Sequence, residues 1–331
     1  MLIRDRLPLG VLVLSFVVPA PTWCPTAAAE KSRPAAKAPR LPDNVVLERD
    51  VEYGRAGQRP LLLDIVRPKE ASEKPRPAIV FVHGGGWSGG SKTAAIGSLI
   101  PYAASGNYFC ATIDYRLSGE AIWPAQIHDC KAAIRWLKAH ASKYGVDPEK
   151  IGVWGGSAGG HLVSLLGLTA GVKELEGDCG WPDQSSRVAC VVDFCGPSDF
   201  LAIARVKSDA GRAAYGRVSQ LLGGPVEERQ EAARAASPLT YVSQDASPFL
   251  IVHGTADATV PLAQAESLFA ALKRAGADAT FVRIEGRGHG IGGDEVQARV
   301  KAFFEKHLRG QDVQVSDAPI QAPPPKAKAR Q

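Results

Sequence analysis

The sequence lacks the patterns that mark metal-binding, nucleotide-binding and membrane-spanning proteins. Its six cysteines and seven histidines form no CxxC pair and no cluster with the spacing of zinc ligands, so we expect no metal. It contains no GxxxxGK[ST] loop, so a P-loop nucleotide site is not expected. No apolar run reaches the ~20 residues that a membrane-spanning helix requires. No internal repeat or second domain is indicated.

The chain also has little net charge, and that charge lies at its two ends. The formal charge is +5, from 39 Lys and Arg against 34 Asp and Glu, but residues 41–310 carry no net charge. A nucleic-acid surface on the folded body is therefore not expected. With 331 residues, 45% hydrophobic and 22% charged, the chain has the composition of a globular protein large enough for one sizeable core.

The N-terminus has the three parts of a secretory signal peptide. Arg4 and Arg6 supply the positive charge, residues 7–18 form a short apolar stretch, and three alanines occupy positions 27–29. We predict cleavage after Ala29 and export to the periplasm or the medium. The alternative is a permanent membrane anchor, which the shortness of the apolar stretch disfavours.

Proline is concentrated on both sides of the body of the chain. Eleven of the 24 prolines lie in residues 1–42 and 319–325. Such segments bury too little apolar surface to fold alone. We therefore predict a disordered linker at 30–42, one folded domain at 43–310 and a disordered proline-rich tail at 311–331.

Five cysteines remain after the predicted cleavage. An exported protein tolerates disulfides, and the sequence suggests Cys179–Cys190, because both residues flank an insertion. Cys110, Cys190 and Cys195 also lie in strand-like runs, where a free cysteine is a small buried apolar residue.

From residue 45 onward, apolar strand-like runs alternate with helical stretches. This alternation predicts an α/β fold with a mostly parallel eight-stranded sheet and helices on both faces. The first two strands have no helix between them, which predicts a hairpin at one edge. Residues 197–247 interrupt the alternation as a polar helical insertion, where a lid or a substrate-binding segment is expected. The predicted strands are 45–53, 61–66, 78–83, 108–113, 151–154, 188–194, 249–253 and 280–284.

The strongest chemical signal is the GGSAG run at 155–159. It fits GxSxG, follows an apolar strand and precedes a helical run, which is the setting of a nucleophile elbow. In such a turn Ser157 is exposed at the edge of the sheet. The backbone N–H of Ala158 then points toward a developing oxyanion.

A second signal is the HGGGW run at 83–87, which follows the third predicted strand. Glycines at this place allow backbone N–H groups to approach a bound carbonyl oxygen, and Gly85 and Gly86 are the predicted donors. We interpret His83 as a residue that shapes the loop. Trp87 is the candidate wall of the substrate pocket, with plain packing as its alternative.

A serine nucleophile needs a base, and the base needs an orienting acid. His289 in GRGHG and Asp257 in HGTADATVP both follow apolar strands, in the order Ser, Asp, His along the chain. The rival acid is Asp199 in GPSDF, for which we favour a structural or substrate-loop role. His161, four residues after Ser157, is expected to face away from the reacting oxygen.

Together these runs resemble the α/β-hydrolase superfamily. More narrowly, they resemble esterases related to hormone-sensitive lipase and the bifunctional feruloyl and acetyl-xylan esterases. The resemblance extends over about residues 45–309 and includes DYRL at 114–117 and GPSDF at 196–200. It implies a serine esterase with a covalent acyl-enzyme, no cofactor and no metal.

The resemblance leaves the substrate open. Acetyl or feruloyl esters of plant or other polysaccharides are candidates. The alternatives are an amide-bond hydrolase, either a peptidase or a formamidase, with the same triad, and an inactive hydrolase-fold binding module. The oligomeric state is not indicated by the sequence.

Overall fold

A computed structural model describes residues 40–206 and 209–321 of the chain. The strands are β1 (Val45–Ala56), β2 (Arg59–Pro68), β3 (Arg76–Val82), β4 (Phe109–Ile113), β5 (Val146–Gly156), β6 (Cys190–Phe194), β7 (Phe249–Gly254), β8 (Ala279–Glu285) and β9 (Ile320–Gln321). The helices are α1 (Ile96–Ala104), α2 (Ala125–Ala139), α3 (Ala141–Tyr144), α4 (Ala158–Leu168), α5 (Lys173–Glu176), α6 (Phe200–Ile203), α7 (Asp209–Leu222), α8 (Gln230–Ala235), α9 (Leu262–Arg274) and α10 (Asp294–Arg309).

The described strands form one sheet in the order β1-β2-β4-β3-β5-β6-β7-β8-β9. β1 and β2 form the predicted antiparallel hairpin at one edge, and β2 is also antiparallel to β4. All other pairs are parallel. The carboxyl ends of β3, β5, β6 and β7 therefore lie at one rim of the sheet.

The central strands are buried because they are apolar on both faces. Every residue of β4, β6 and β7 is buried. One apolar cluster includes residues of α1 and α10, and the other includes residues of α2, α4 and α9, so helices cover both faces as predicted. The α/β fold predicted from the alternating pattern, with a mostly parallel sheet and helices on both faces, is confirmed, and it agrees with the α/β-hydrolase fold that the resemblance implies.

The insertion at 197–247 is helical, as predicted. In its described part it contains α6, α7, α8 and a 3-10 turn at Pro238–Tyr241. Phe200 of α6 and Val218 of α7 are buried in the same apolar cluster as the helix that follows the elbow. The insertion therefore packs on the body rather than standing apart from it.

The prediction of a wholly disordered tail from residue 311 is wrong for its first part. Ile320 and Gln321 form β9, which pairs in parallel with Ile284 and Glu285 and gives the sheet nine strands instead of eight. Burial of Ile320 explains the order, since it packs into the apolar cluster under α10. The rest of the predicted tail lies outside the described residues.

The suggested disulfide Cys179–Cys190 is also wrong. All five described cysteines are free. Cys190 is buried in β6 within the cluster that includes α1 and α10. Cys179 packs at the other cluster, with its thiol 3.2 Å from the carbonyl oxygen of Arg55. The sheet separates the two thiols.

The predicted signal peptide and most of the predicted linker lie outside the described residues. In the described part of the chain, no helix is long and apolar enough to cross a bilayer.

Candidate active site

Ser157 lies in a strained turn between β5 and α4. Its backbone has φ 56° and ψ −121°, in the positive-φ region that side chains other than glycine rarely adopt. The turn is possible because its neighbours have no side chain. A Cβ on Gly155 would lie 2.4 Å from the carbonyl oxygen of Gly159, and one on Gly159 would lie 2.1 Å from that of Val82. The strand–turn–helix context predicted for GGSAG is present.

The structure brings Ser157, His289 and Asp257 together in one chain of hydrogen bonds. Nε2 of His289 is 2.9 Å from Oγ of Ser157, and Nδ1 of His289 is 2.7 Å from Oδ2 of Asp257. The serine hydroxyl donates to Nε2, and Nδ1–H donates to the carboxylate. These are the separations at which a base takes the proton of a serine hydroxyl while an acid holds the base.

Asp257 is held as an anion by two backbone N–H groups and two histidines. Its Oδ1 accepts hydrogen bonds from the backbone N–H groups of Thr259 and Val260, at 2.8 and 3.0 Å. Burial by itself would raise the pKa of Asp257. Hydrogen bonds from His253, His289 and the Val260 backbone outweigh burial and hold this pKa well below its usual range. Asp257 is therefore ionised at any pH at which the protein is expected to be folded.

His253 is a part of this arrangement that the sequence reading did not assign. It is fully buried at the end of β7, and its Nε2 lies 2.9 Å from the carbonyl oxygen of Val260 and 3.3 Å from Oδ2 of Asp257. It closes the loop 253–260 and helps to fix the carboxylate. Its position at the end of an apolar strand, four residues before Asp257, was the signal available in the sequence.

The predicted oxyanion donors line the same cavity as the serine. Gly85, Gly86 and Ala158 surround a cavity of about 480 Å³ that also contains Ser157 and His289. Gly85 has φ 115° and Gly86 has φ 60°, conformations that glycine adopts readily. Within the described chain, none of these three N–H groups donates to another protein group, so all three are free to bind a substrate oxygen.

Trp87 both lines this cavity and packs beneath it. It is 4% exposed and contacts the rings of His161 and Phe200 edge-on, so the same side chain packs in the core and lines the cavity beside Ser157. His83 has the loop-shaping position predicted for it. Its Nδ1 lies 2.7 Å from the carbonyl oxygen of Gly84, and its ring stacks on Tyr115.

His161 has a role that the sequence reading missed. Its Nδ1 accepts a hydrogen bond from Nε1 of Trp87 at 3.2 Å, and its Nε2–H donates to the carbonyl oxygen of Ala236 at 2.7 Å. Burial lowers the pKa of His161 to about 4, so the ring is neutral. Both ring nitrogens of His161 are hydrogen-bonded away from the Ser157 hydroxyl, as expected, and the ring joins the loop at 83–87 to the insertion.

Asp199, the rival acid, caps a helix instead. Its carboxylate accepts a hydrogen bond from the N–H of Ala202 at the start of α6. Nδ1 of His289 is bonded to Asp257, so the structure gives Asp199 the structural role that we favoured.

One group of described residues has the donor atoms that a metal ion requires. Ligand-type atoms of Cys195, Asp257 and His289 lie within 4.8 Å of one another. However, Asp257 and His289 are already hydrogen-bonded to each other, and burial raises the pKa of the Cys195 thiol, so it stays protonated. The arrangement suits proton relay better than metal binding.

Among curated proteins, the chain is similar to several esterases. It is 34% identical over 233 residues to the esterase LipC of Mycobacterium tuberculosis, covering 70% of this chain and 57% of LipC. It is 34% identical over 224 residues to the probable carboxylic ester hydrolase LipM of the same organism, covering 67% and 50%. The chain spans about half the length of the curated relatives that it matches.

Among solved structures, the chain is also similar to esterases. A truncated carbohydrate esterase from gut microbiota matches with a TM-score of 0.70 and 33% identity, covering 80% of this chain and 96% of that one. The propionate-bound esterase Est2 of the Planctomycetes species Thermogutta terrifontis matches with a TM-score of 0.65 and 27% identity, covering 80% and 94%. The profile of the family described as BD-FAE matches residues 63–272, and with the fold and the elbow in place this chain belongs to that family.

Proposed function

We propose that the protein is a serine hydrolase of carboxylic esters. The observation that carries this proposal is the relay Ser157–His289–Asp257, with separations of 2.9 and 2.7 Å at the mouth of a cavity. The esterase names of the relatives and of the similar structures support ester bonds as the target.

The first half of the reaction forms an acyl-enzyme. His289 takes the proton of Ser157 through Nε2, and Oγ attacks the ester carbonyl. Asp257 stabilises the imidazolium through Nδ1–H, and His289 then gives the proton to the leaving alcohol. The N–H groups of Gly85, Gly86 and Ala158 bind the carbonyl oxygen as it becomes negative.

The second half of the reaction uses the same groups on water. His289 takes a proton from a water molecule, the water oxygen attacks the acyl carbonyl, and Ser157 leaves with the proton that His289 returns. The acid is released and the relay is restored. These steps require only Ser157, His289, Asp257, the three backbone N–H groups and water.

The similar proteins suggest which class of ester the protein hydrolyses. We propose that acyl esters of carbohydrates, acetyl or feruloyl, are the substrate class, which the similarity to a structure described as a carbohydrate esterase supports.

We also propose that the protein is exported after cleavage near Ala29, which fits a polymeric substrate outside the cell. A mass measurement of the mature N-terminus tests export.

The central test compares the parent with Ser157→Ala. The parent should hydrolyse p-nitrophenyl acetate and react with a fluorophosphonate probe at Ser157, and the variant should lose at least about 10⁴-fold in kcat while remaining folded. The control is Ser267→Ala, on the exposed face of α9, which should keep full activity. Unchanged hydrolysis by Ser157→Ala would overturn the assignment of the nucleophile.

The substrate class is tested separately. Acetylated xylan, feruloylated xylan and a peptide amide are offered to the mature protein under the same conditions. Release of acetate or ferulate supports the carbohydrate-ester proposal. Cleavage of only the amide contradicts it.

A further inference from the structure

Arg217 is the one permanently charged residue among the described residues that line the cavity beside Ser157, and most of the others are apolar or small. The walls are built from Trp87, Pro197, Ile203, Val218 and Val260, together with small residues of the insertion. The side chain of Arg217, on α7, also lines this cavity. A pocket of this kind obtains its specificity from its few polar groups, so the arginine is the feature most able to discriminate between substrates.

Arg217 lies directly against the oxyanion loop. A Cβ placed on Gly86 would lie 2.5 Å from Nη1 and 2.7 Å from Cδ of Arg217. The arginine side chain therefore occupies the space next to the backbone of a predicted oxyanion donor. A substrate carbonyl bound there would have a guanidinium a short distance away.

Arg217 has no acidic partner among the side chains that the structure describes. Within residues 40–206 and 212–321, its side chain makes neither an ion pair nor a hydrogen bond to a protein group. Other arginines of the fold are paired, for example Arg116 with Asp129 and Arg135 with Glu176. A guanidinium presents several donors in a planar fork that matches a carboxylate. The guanidinium of Arg217 thus lines the cavity beside Ser157, and its N–H donors are available to a substrate.

We propose that Arg217 selects esters that carry a carboxylate close to the reacting carbonyl. This inference rests on the proposed function, because it names the substrate class of the same site. The carboxylate belongs either to the acyl part or to the alcohol part of the ester. The binding chemistry, a guanidinium with a carboxylate beside an apolar surface, is the same in both cases.

A different role for Arg217 makes a distinct prediction. If the guanidinium donated directly to the oxyanion, its removal would slow neutral and anionic esters by the same factor. Selection of a carboxylate changes only the ratio of the two rates. The test therefore measures a ratio of kcat/KM values rather than a single activity.

Two pairs of substrates separate the acyl and alcohol sources. Mono-p-nitrophenyl succinate and p-nitrophenyl pentanoate differ by a carboxylate on the acyl side. The pair 4-acetoxybenzoate and 4-acetoxybenzamide differ by a carboxylate on the alcohol side. Hydrolysis of the two neutral esters by the parent tests the proposed function, and the anionic-to-neutral ratio tests Arg217.

Three substitutions of Arg217 are compared with one control. Arg217→Gln should lower the anionic-to-neutral ratio of kcat/KM by about 10- to 100-fold for at least one pair, the value of a hydrogen-bonded charge pair. Arg217→Lys should retain part of the preference, and Arg217→Glu should lower the ratio further. The control is Arg274→Gln, which removes an exposed positive charge on α9 outside this cavity and should leave both ratios unchanged.

Three results would overturn the proposal. One is that Arg217→Gln and Arg217→Glu leave both the ratio and the individual kcat/KM values unchanged for both pairs. Another is an equal loss on neutral and anionic esters, which would assign Arg217 to the oxyanion. The last is an equal change of the ratio in Arg274→Gln, which would attribute the preference to the overall charge of the protein.

Discussion

Nε1 of Trp87 donates a hydrogen bond to Nδ1 of His161 at 3.2 Å, joining two residues that are 74 positions apart in the chain. The other nitrogen of His161 donates to the carbonyl oxygen of Ala236. An indole N–H only donates and a carbonyl only accepts, so the neutral tautomer with its proton on Nε2 is the one that satisfies both. One ring thus links the oxyanion loop, the elbow helix and the insertion.

Replacing His161 by Phe should loosen this junction. The ring stack on Phe200 can persist, but Trp87 and the Ala236 carbonyl lose their buried partners. We expect a loss of roughly 1–3 kcal/mol of unfolding free energy for each unsatisfied group, and a fall in kcat/KM as the cavity wall moves. Urea unfolding and hydrolysis of p-nitrophenyl acetate measure the two effects.

The matched control for this substitution is His307→Phe on α10, away from the cavity. It should keep the parent activity. Equal losses of kcat/KM in the two variants would contradict the role of His161 in holding the cavity wall.

The free energy of unfolding should depend on pH through His161. Burial lowers the pKa of this histidine to about 4, whereas an exposed histidine has a pKa of about 6.5. Between these values the unfolded chain binds the proton and the folded one does not, so stability falls as the pH decreases from 6.5 toward 4. The full effect is on the order of 3 kcal/mol.

The comparison with His161→Phe isolates this contribution from that of other titrating groups. The stability difference between the parent and the variant should be largest above pH 6.5 and should shrink toward pH 4. A difference that stays constant over this range would show that His161 does not titrate as its burial implies.

Asp257→Asn should be far more damaging to activity than Asp199→Asn. The amide at position 257 no longer stabilises the imidazolium form of His289, and we expect kcat to fall by about 10²- to 10⁴-fold with little change in KM. Asn at position 199 still caps α6, so that variant should keep activity within a few-fold. Steady-state kinetics of both variants decide between the two acids. Comparable losses of kcat in both variants would make Asp199 a candidate for the catalytic acid again.

Gly85→Ala should impair catalysis through the backbone. Its φ of 115° is unfavourable for alanine, and the new Cβ would lie 2.2 Å from the carbonyl oxygen of Gly89, so the loop must shift. We expect kcat to fall by about 10²-fold or more as the oxyanion donor moves.

The control for this change is Gly97→Ala in α1. A Cβ at that position meets no atom within 4 Å, so the variant should be active and slightly more stable, by about 0.5–1 kcal/mol. Full activity in Gly85→Ala would remove this loop from the oxyanion site.

The features that could be predicted are those whose signal is local in sequence. The continuous apolar runs predicted the central strands, because a strand buried on both faces needs such a run and little else. GGSAG predicted the elbow because its glycines are required wherever the turn packs against its neighbours. Asp257 and His289 could be picked out because each directly follows an apolar strand, and parallel strands end at one rim.

The features that could not be predicted depend on distant partners. Ile320 is ordered by an apolar pocket beneath α10, and a two-residue strand leaves no pattern in the sequence. The free state of Cys190 follows from the sheet that stands between it and Cys179. Arg217 appears in the sequence as one of several arginines in a polar insertion, and nothing local shows that it reaches the cavity.

By itself, the sequence determined which segments become strands and helices, where the chain turns sharply and which residue types are available for the chemistry. These properties depend on backbone conformation and on burial over a few neighbouring residues. Only the tertiary structure decided that His253 also contacts Asp257, that His161 holds Trp87 and that the charge of Arg217 reaches the cavity. Those choices depend on distances between residues far apart in the chain, and the packing of helices and insertion on the sheet sets these distances.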